Sequence, residues 1–281
     1  MITATPLPDG GIYFGQKPRG PTVYLDQWMW CRLSEDPQLR DKFVRVAASR
    51  QSCVMYSLAS LMELAQIADQ GQLDTLSGLM DTLDYGFVES DPMKVTSLEK
   101  KHEVRPGVFQ GRNPAVDLDL LNYAVRKHYP PIPTMSALLR DLKEEVPSRD
   151  TAIADRLHRG LTPMVERARR DTAVLARAKS KNRERKLGRT GPPYTQDILR
   201  CLNFYLVANE TMKMTPTEWM DVFHMVVPVA YMEFVVLDKR WVNFVRNHLP
   251  VQPPSIARVY GPAEIDLFLS ELESLPSEVA L

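Results

Sequence analysis

Apolar residues in this chain fall alternately into short unbroken runs and into stripes of helical period. Thr22 to Leu25 (TVYL), the run SCVMYS that ends at Ser57, and FVVL before Asp238 are short, apolar and bounded by polar residues, as buried strands are. A later stretch, DYGFVESDPMKV, has room for a further strand, and IARVY near the end of the chain reads as another. Helix-compatible segments lie between them: QWMWCRL after Asp26, a segment from Pro37 to about Ser49, and one over 57–70 with Leu58, Leu61, Met62, Ala65 and Ile67 on one side. Ser57 stands where a helix N-cap would. The helical period returns over 195–210 and from about Thr217 to Ala230, with Thr215 and Pro216 near its start. KRWVNFVRNHL then follows FVVL, and PAEIDLFLSELESL comes after the last strand.

Alternation of this kind predicts an α/β fold, a parallel sheet flanked by helices. Two stretches break it. Residues 1–21, rich in Pro and Gly without a sustained period, read as an irregular N-terminal arm. From 101 to 194 the pattern is helical and polar, with Pro106, Pro114, Pro130, Pro131, Pro133, Pro147 and Pro163 marking breaks, and it reads as a large insertion. The sheet domain then comprises 22–100 and 195–281.

A length of 281 residues suits one domain carrying such an insertion, and 44% hydrophobic with 25% charged residues is ordinary for a globular protein. The formal net charge of zero supplies no global pull toward a polyanion, so any basic surface must be local. One stretch is basic: Arg156, Arg159, Arg167, Arg169, Arg170, Arg177, Lys179, Lys181, Arg183, Arg185, Lys186 and Arg189 outnumber Glu166, Asp171 and Glu184. Cys31, Cys53 and Cys201 show neither CxxC nor Cys/His spacing, which predicts no disulfide framework or zinc site and fits a reducing compartment. The opening MITATPLPDGG lacks a basic and apolar leader, and Met225 to Leu237 is too short to span a bilayer. A soluble, cytoplasmic protein without membrane association is expected.

The candidate chemistry is carboxylate. In an open parallel sheet ligands bind beyond the carboxyl ends of the strands, and Asp26 ends TVYL while Asp238 ends FVVL. Either residue alone could be only a helix N-cap. Glu63 lies within an apolar helical segment, where a charge on the buried side needs a partner or a metal; on the solvent stripe it needs neither. Asp221 falls early in the helix before FVVL, where the helix dipole alone would favour it.

Taken in order, the segments VYLDQW, YSLASLMEL and DVFHMVVPVAYMEFVVLDKRW resemble the PIN-like nuclease superfamily over roughly 22–100 and 195–276. Leu237 stands where family members often carry Thr or Ser, and the insertion is longer than in compact members. The resemblance implies a PIN-like fold and Mg²⁺ or Mn²⁺ held by Asp26, Glu63, Asp221 and Asp238. It further implies phosphodiester hydrolysis leaving 5′-phosphate and 3′-hydroxyl ends. RNA is the expected substrate ahead of DNA, with a toxin or defence effector as the analogous role. A structure-specific DNA nuclease and a non-catalytic scaffold for RNA or protein are the alternatives.

Supporting candidates are Ser57, His224 and Glu233, each of which also has a plain structural reading as a cap, a helix-surface residue or a turn residue. Trp28 and Trp30 are better explained by core packing than by base stacking. Arg167, Arg169, Arg170, Arg177, Lys179, Lys181, Arg183, Arg185 and Lys186 would supply phosphate contacts; otherwise they form a solvated helix face or dock an acidic partner or inhibitor protein. A homodimer is compatible with the pattern.

Overall fold

The computed structural model describes residues 2–6, 8, 12–102, 115–128, 134–145, 149–184, 195–250 and 256–276. The arm is not irregular. β1 (Ile2–Pro6) and β2 (Ile12–Gln16) pair as an antiparallel ladder, Ile2 opposite Gln16 and Pro6 opposite Ile12. Ile, Thr, Tyr and Phe favour strands, and these runs are too short to show a period against the surrounding Pro and Gly. The Gln16 carboxamide fastens the hairpin to the sheet, donating to the Phe87 carbonyl (2.6 Å) and accepting from its N–H (2.8 Å).

Five further strands form a parallel sheet: β3 (Thr22–Leu25), β4 (Cys53–Tyr56), β5 (Asp84–Phe87), β6 (Phe234–Val236) and β7 (Arg258–Tyr260). Their order is β5-β4-β3-β6-β7. The chain therefore works outward from β3 to β5, returns to pair β6 with the far side of β3, and moves outward again to β7. The direction of winding reverses between β3 and β6, where Leu25 lies beside Val236.

Strand alternation assigns side chains to two apolar layers. Val23, Leu25, Val54, Tyr56, Phe87, Phe234, Val236 and Tyr260 face one core. It is shared with α1 (Gln27–Glu35), α2 (Pro37–Ser49), α3 (Leu58–Ala65), α4 (Gln70–Asp81), α6 (Leu118–His128), α7 (Met135–Glu145) and α13 (Ile265–Ser274). Tyr24, Cys53, Met55, Val235, Leu237 and Val259 face the other, with α5 (Pro92–His102), α8 (Arg149–Arg170), α9 (Thr172–Glu184), α10 (Thr195–Ala208), α11 (Pro216–Tyr231) and α12 (Lys239–His248). Covering both faces is what lets strands read as continuous apolar runs. Truncating Leu25, 1% exposed, to Ala would cost about 2–5 kcal/mol.

The described residues of 101–194 form α6 to α9 together with the end of α5, and they are not a separate body. Leu121, Ala124, Leu138, Leu139 and Leu142 of α6 and α7 join the first core, while Val165 and Ala178 of α8 and α9 join the second. Each helix has an apolar stripe that finds a sheet layer to bury it. Pro163, expected at a break, lies inside α8. The segment over 57–70 divides after Ala65, and Asp69 caps α4 by accepting from Gln72 N–H at 3.0 Å. No helix among the described residues is long and apolar enough to cross a membrane.

Candidate active site

Asp26 is the first residue past β3. Its N–H donates to Val236 O (3.1 Å), and its Oδ1 accepts from Gln27 N–H (2.8 Å) at the head of α1. Asp238 lies just past β6 and caps α12, accepting from Trp241 N–H at 3.0 Å. Both acids thus stand at the carboxyl edge of adjacent parallel strands, at the reversal of winding, where open α/β sheets form their ligand crevices. Asp221 reaches the same crevice from α11, which starts at that edge because it must run back before β6. The capping box of Thr215 and Glu218 sets that start, with Thr215 Oγ1 accepting from Glu218 N–H and Glu218 Oε2 from Thr215 N–H.

The three aspartates interact electrostatically. Burial pushes Asp26 up to about 7, and the charges of Asp221 and Asp238 add to it, while the amides of Gln27 and Asp238 pull the other way. Burial also raises Asp221 to about 6, together with the charges of Asp238 and Glu218; the Trp241 indole and Arg240 oppose this. The Trp241 indole N–H makes no complete hydrogen bond, although it lies near enough to act on Asp221.

Glu63 stands to one side of this trio. Its Oε2 lies 3.8 Å from Nδ1 of His224, which is on α11 one turn past Asp221 and is 4% exposed. Burial drives the His224 imidazole down to about 4, so it is neutral near pH 7, and its Nε2 has no hydrogen-bond partner. Tyr24 links the two sides: its buried phenol is 3.4 Å from Ser57 Oγ and is held protonated first by burial and then by the charges of Asp26 and Glu63. The helix-surface reading of His224 fails because Val222, Met225 and Val226 on the same helix are buried with it. Among the described residues, no three His, Cys, Asp or Glu side chains are grouped closely enough to hold an ion between them as they stand.

Ser57 does what its position predicted, forming a reciprocal cap with Ser60 at the start of α3. Glu233 is not a fifth acid of the crevice. It precedes β6, and its Oε2 accepts from Thr22 N–H (2.7 Å) and from the Thr22 hydroxyl at the amino edge of β3, about 10 Å from the carboxyl edge. Trp30 is a core residue, stacked on Tyr56 at 5.4 Å, and Trp28 is packed against the same core.

The basic stretch is divided among several tasks. Arg169 turns inward, and its Nη2 donates to the carbonyls of Leu206 (2.7 Å), Asn209 (2.7 Å) and Met212 (2.9 Å), closing the end of α10. It is a structural cation rather than a phosphate contact, because a helix C-terminus offers carbonyls that only a donor can satisfy. Lys179 pairs with Glu210 (2.5 Å), and the exposed Arg170 lies 3.9 Å from Glu166. Arg167, Arg177 and Lys181 are exposed. Arg183 is in α9 with its side chain outside the described residues, and Arg185 and Lys186 lie outside them altogether. Asn182 contacts His248 (2.9 Å), so this end of α9 meets the far end of the ten-residue α12, about 15 Å from Asp238. The start of α8 packs beside the acid-bearing helices: Ala154 and Leu157 contact Ala59 of α3 and Met220 of α11.

No protein-family model, curated protein or solved structure matches the chain. The site therefore rests on its own geometry. Sequence reading passed over Tyr24, Arg240 and Trp241, all of them next to or near an acid in the chain. The available signal was the basic pair in DKRW: Lys239 and Arg240 occupy the first turn of α12, where the helix dipole disfavours cations.

Proposed function

We propose that the chain is a metal-dependent endoribonuclease of the PIN-like type, with Asp26, Asp221, Asp238 and Glu63 as its metal-binding and catalytic acids. The observation that carries this reading is the electrostatic coupling of three partly buried aspartates at the reversal of the sheet. Like charges withdrawn from water are unfavourable unless protons or a cation share them. Burial first, and then the neighbouring carboxylates, displace Asp26 and Asp221 upward, as expected of such a group.

The donor set fits Mg²⁺ or Mn²⁺, because carboxylate oxygens are hard ligands that such ions take together with waters and phosphate. Asp26, Asp221 and Asp238 would be its ligands once their side chains close on the ion, with Glu63 at its side. When bound, it would lower the pKa of a water and neutralise charge developing at phosphorus. The protein's own part is preorganisation. Bonds from Gln27 and Trp241 fix the two strand-end acids, and the neutral His224 lies against Glu63 without adding charge. Tyr24, held protonated, feels the charges of both Asp26 and Glu63.

The test is cleavage of end-labelled single-stranded RNA and DNA in Mg²⁺, Mn²⁺ or EDTA, beside Asp26→Asn and Asp221→Asn. Cutting that needs metal and disappears in both variants supports the reading, and the polymer cut distinguishes RNA from DNA. Intact polymers in every condition with folded protein would sink it.

A further inference from the structure

The crevice is acidic, yet the ligand proposed for it is a polyanion, so some cation at its mouth must hold the strand. Within the basic stretch Arg169 is engaged by carbonyls, and the end of α9 at Asn182 meets the far end of α12. The first turn of α12 provides one. Arg240 is ion-paired to Glu218 on α11, one turn before Asp221, and acts on the Asp221 carboxylate. Its side chain is 38% exposed, and the neighbouring Lys239 is exposed.

We propose that Arg240, steadied by Glu218 and assisted by Lys239, binds a backbone phosphate of a single-stranded polynucleotide lying across the crevice. This rests on the nuclease reading. Three observations support it. Cations are disfavoured at a helix N-terminus; Glu218 is the counterpart of Arg240, whereas Lys239 beside it has no carboxylate in ion-pair reach among the described residues. Glu218 accepts through Oε1 from Arg240 while its Oε2 is engaged by Thr215, an arrangement that orients a guanidinium and leaves its remaining donors available. The pair also directly follows Asp238, so a phosphate bound there would sit next to the acids.

Binding is measured in EDTA, where nothing is cut, by fluorescence anisotropy of labelled single-stranded RNA and DNA over a salt series. Wild type is compared with Arg240→Gln, Arg240→Lys, Lys239→Gln and the remote control Lys42→Gln, whose partner Asp266 is on the surface. Loss of one phosphate contact should weaken binding about tenfold in Arg240→Gln and lower the salt slope by about 0.7. Arg240→Lys should recover most of the slope, Lys239→Gln should lose a smaller share, and the control should match wild type. A purely structural Arg240 would change the melting temperature and leave the slope intact. Equal affinity and slope in wild type and Arg240→Gln would overturn this inference alone. If wild type binds neither polymer, this inference falls, and the nuclease reading is decided separately by the metal-dependent cleavage assay.

Discussion

The backbone N–H of Asp26 donates to the carbonyl of Val236 at 3.1 Å, tying the acid that ends β3 to the strand that ends two residues before Asp238. The spacing of the two acids is thus set by the sheet rather than by side-chain freedom. Both also serve as N-caps, so a loss of activity in an Ala variant could be mistaken for a folding defect. Asn caps about as well as Asp. Asp26→Asn and Asp238→Asn are therefore expected to fold with stability within about 1 kcal/mol of wild type or above it, while cleavage drops to background. Wild-type cleavage by both variants would reduce these residues to caps.

Stability should depend on pH through the same crevice. Asp26 goes from 3.8 when unfolded to about 7 when folded, and Asp221 from 3.8 to about 6. The folded chain binds more protons between these limits, so their contribution is full below about pH 4 and is lost as pH rises through 6 and 7. His224, lowered from 6.5 to about 4, runs the other way, contributing above 6.5 and losing that as pH falls through 4. Urea denaturation should show Asp26→Asn equal to wild type near pH 4 and more stable by roughly 1–3 kcal/mol above pH 7. A difference independent of pH would rule out a buried, raised carboxylate at this position.

Glu233 distinguishes structure from chemistry. Because it binds Thr22 at the amino edge of the sheet, Glu233→Ala should lower stability by about 1–2 kcal/mol and leave the cleavage rate per folded molecule unchanged. A selective loss of turnover in stable protein would return Glu233 to the site.

Arg169 allows a similar separation. Removing a guanidinium whose Nη2 shares its two hydrogens among three carbonyls should destabilise Arg169→Ala by about 2–4 kcal/mol, read as a lower urea midpoint. Polynucleotide affinity, measured where the variant is fully folded, should match wild type. Weakened binding with an unshifted midpoint would contradict the structural assignment.

Much of the sheet was legible in the chain. TVYL, CVMY and FVV are apolar on both faces because helices cover both faces, and that makes a buried parallel strand visible as an unbroken run. Ser57, Thr215 and Asp238 announced the helices they cap. The hairpin of Ile2 to Gln16 was not legible, since what holds it is the Gln16 carboxamide on Phe87, a contact across 71 positions that leaves no local period.

What the sequence determined by itself was which residues are acids, which segments are strands and helices, and that Asp26 and Asp238 end their strands. These are local properties, expressed in alternation, caps and apolar runs. Only the tertiary structure decided which acids meet. Pairing β6 beside β3 brings Asp238 to Asp26 and carries α11, with Asp221, to the same edge, whereas Glu233, five residues before Asp238, goes to the opposite edge because a strand lies between them. Likewise the charge of the basic stretch was visible, but its use was not: a guanidinium satisfies a phosphate or a helix end equally well, and for Arg169 the end of α10 is the acceptor within reach.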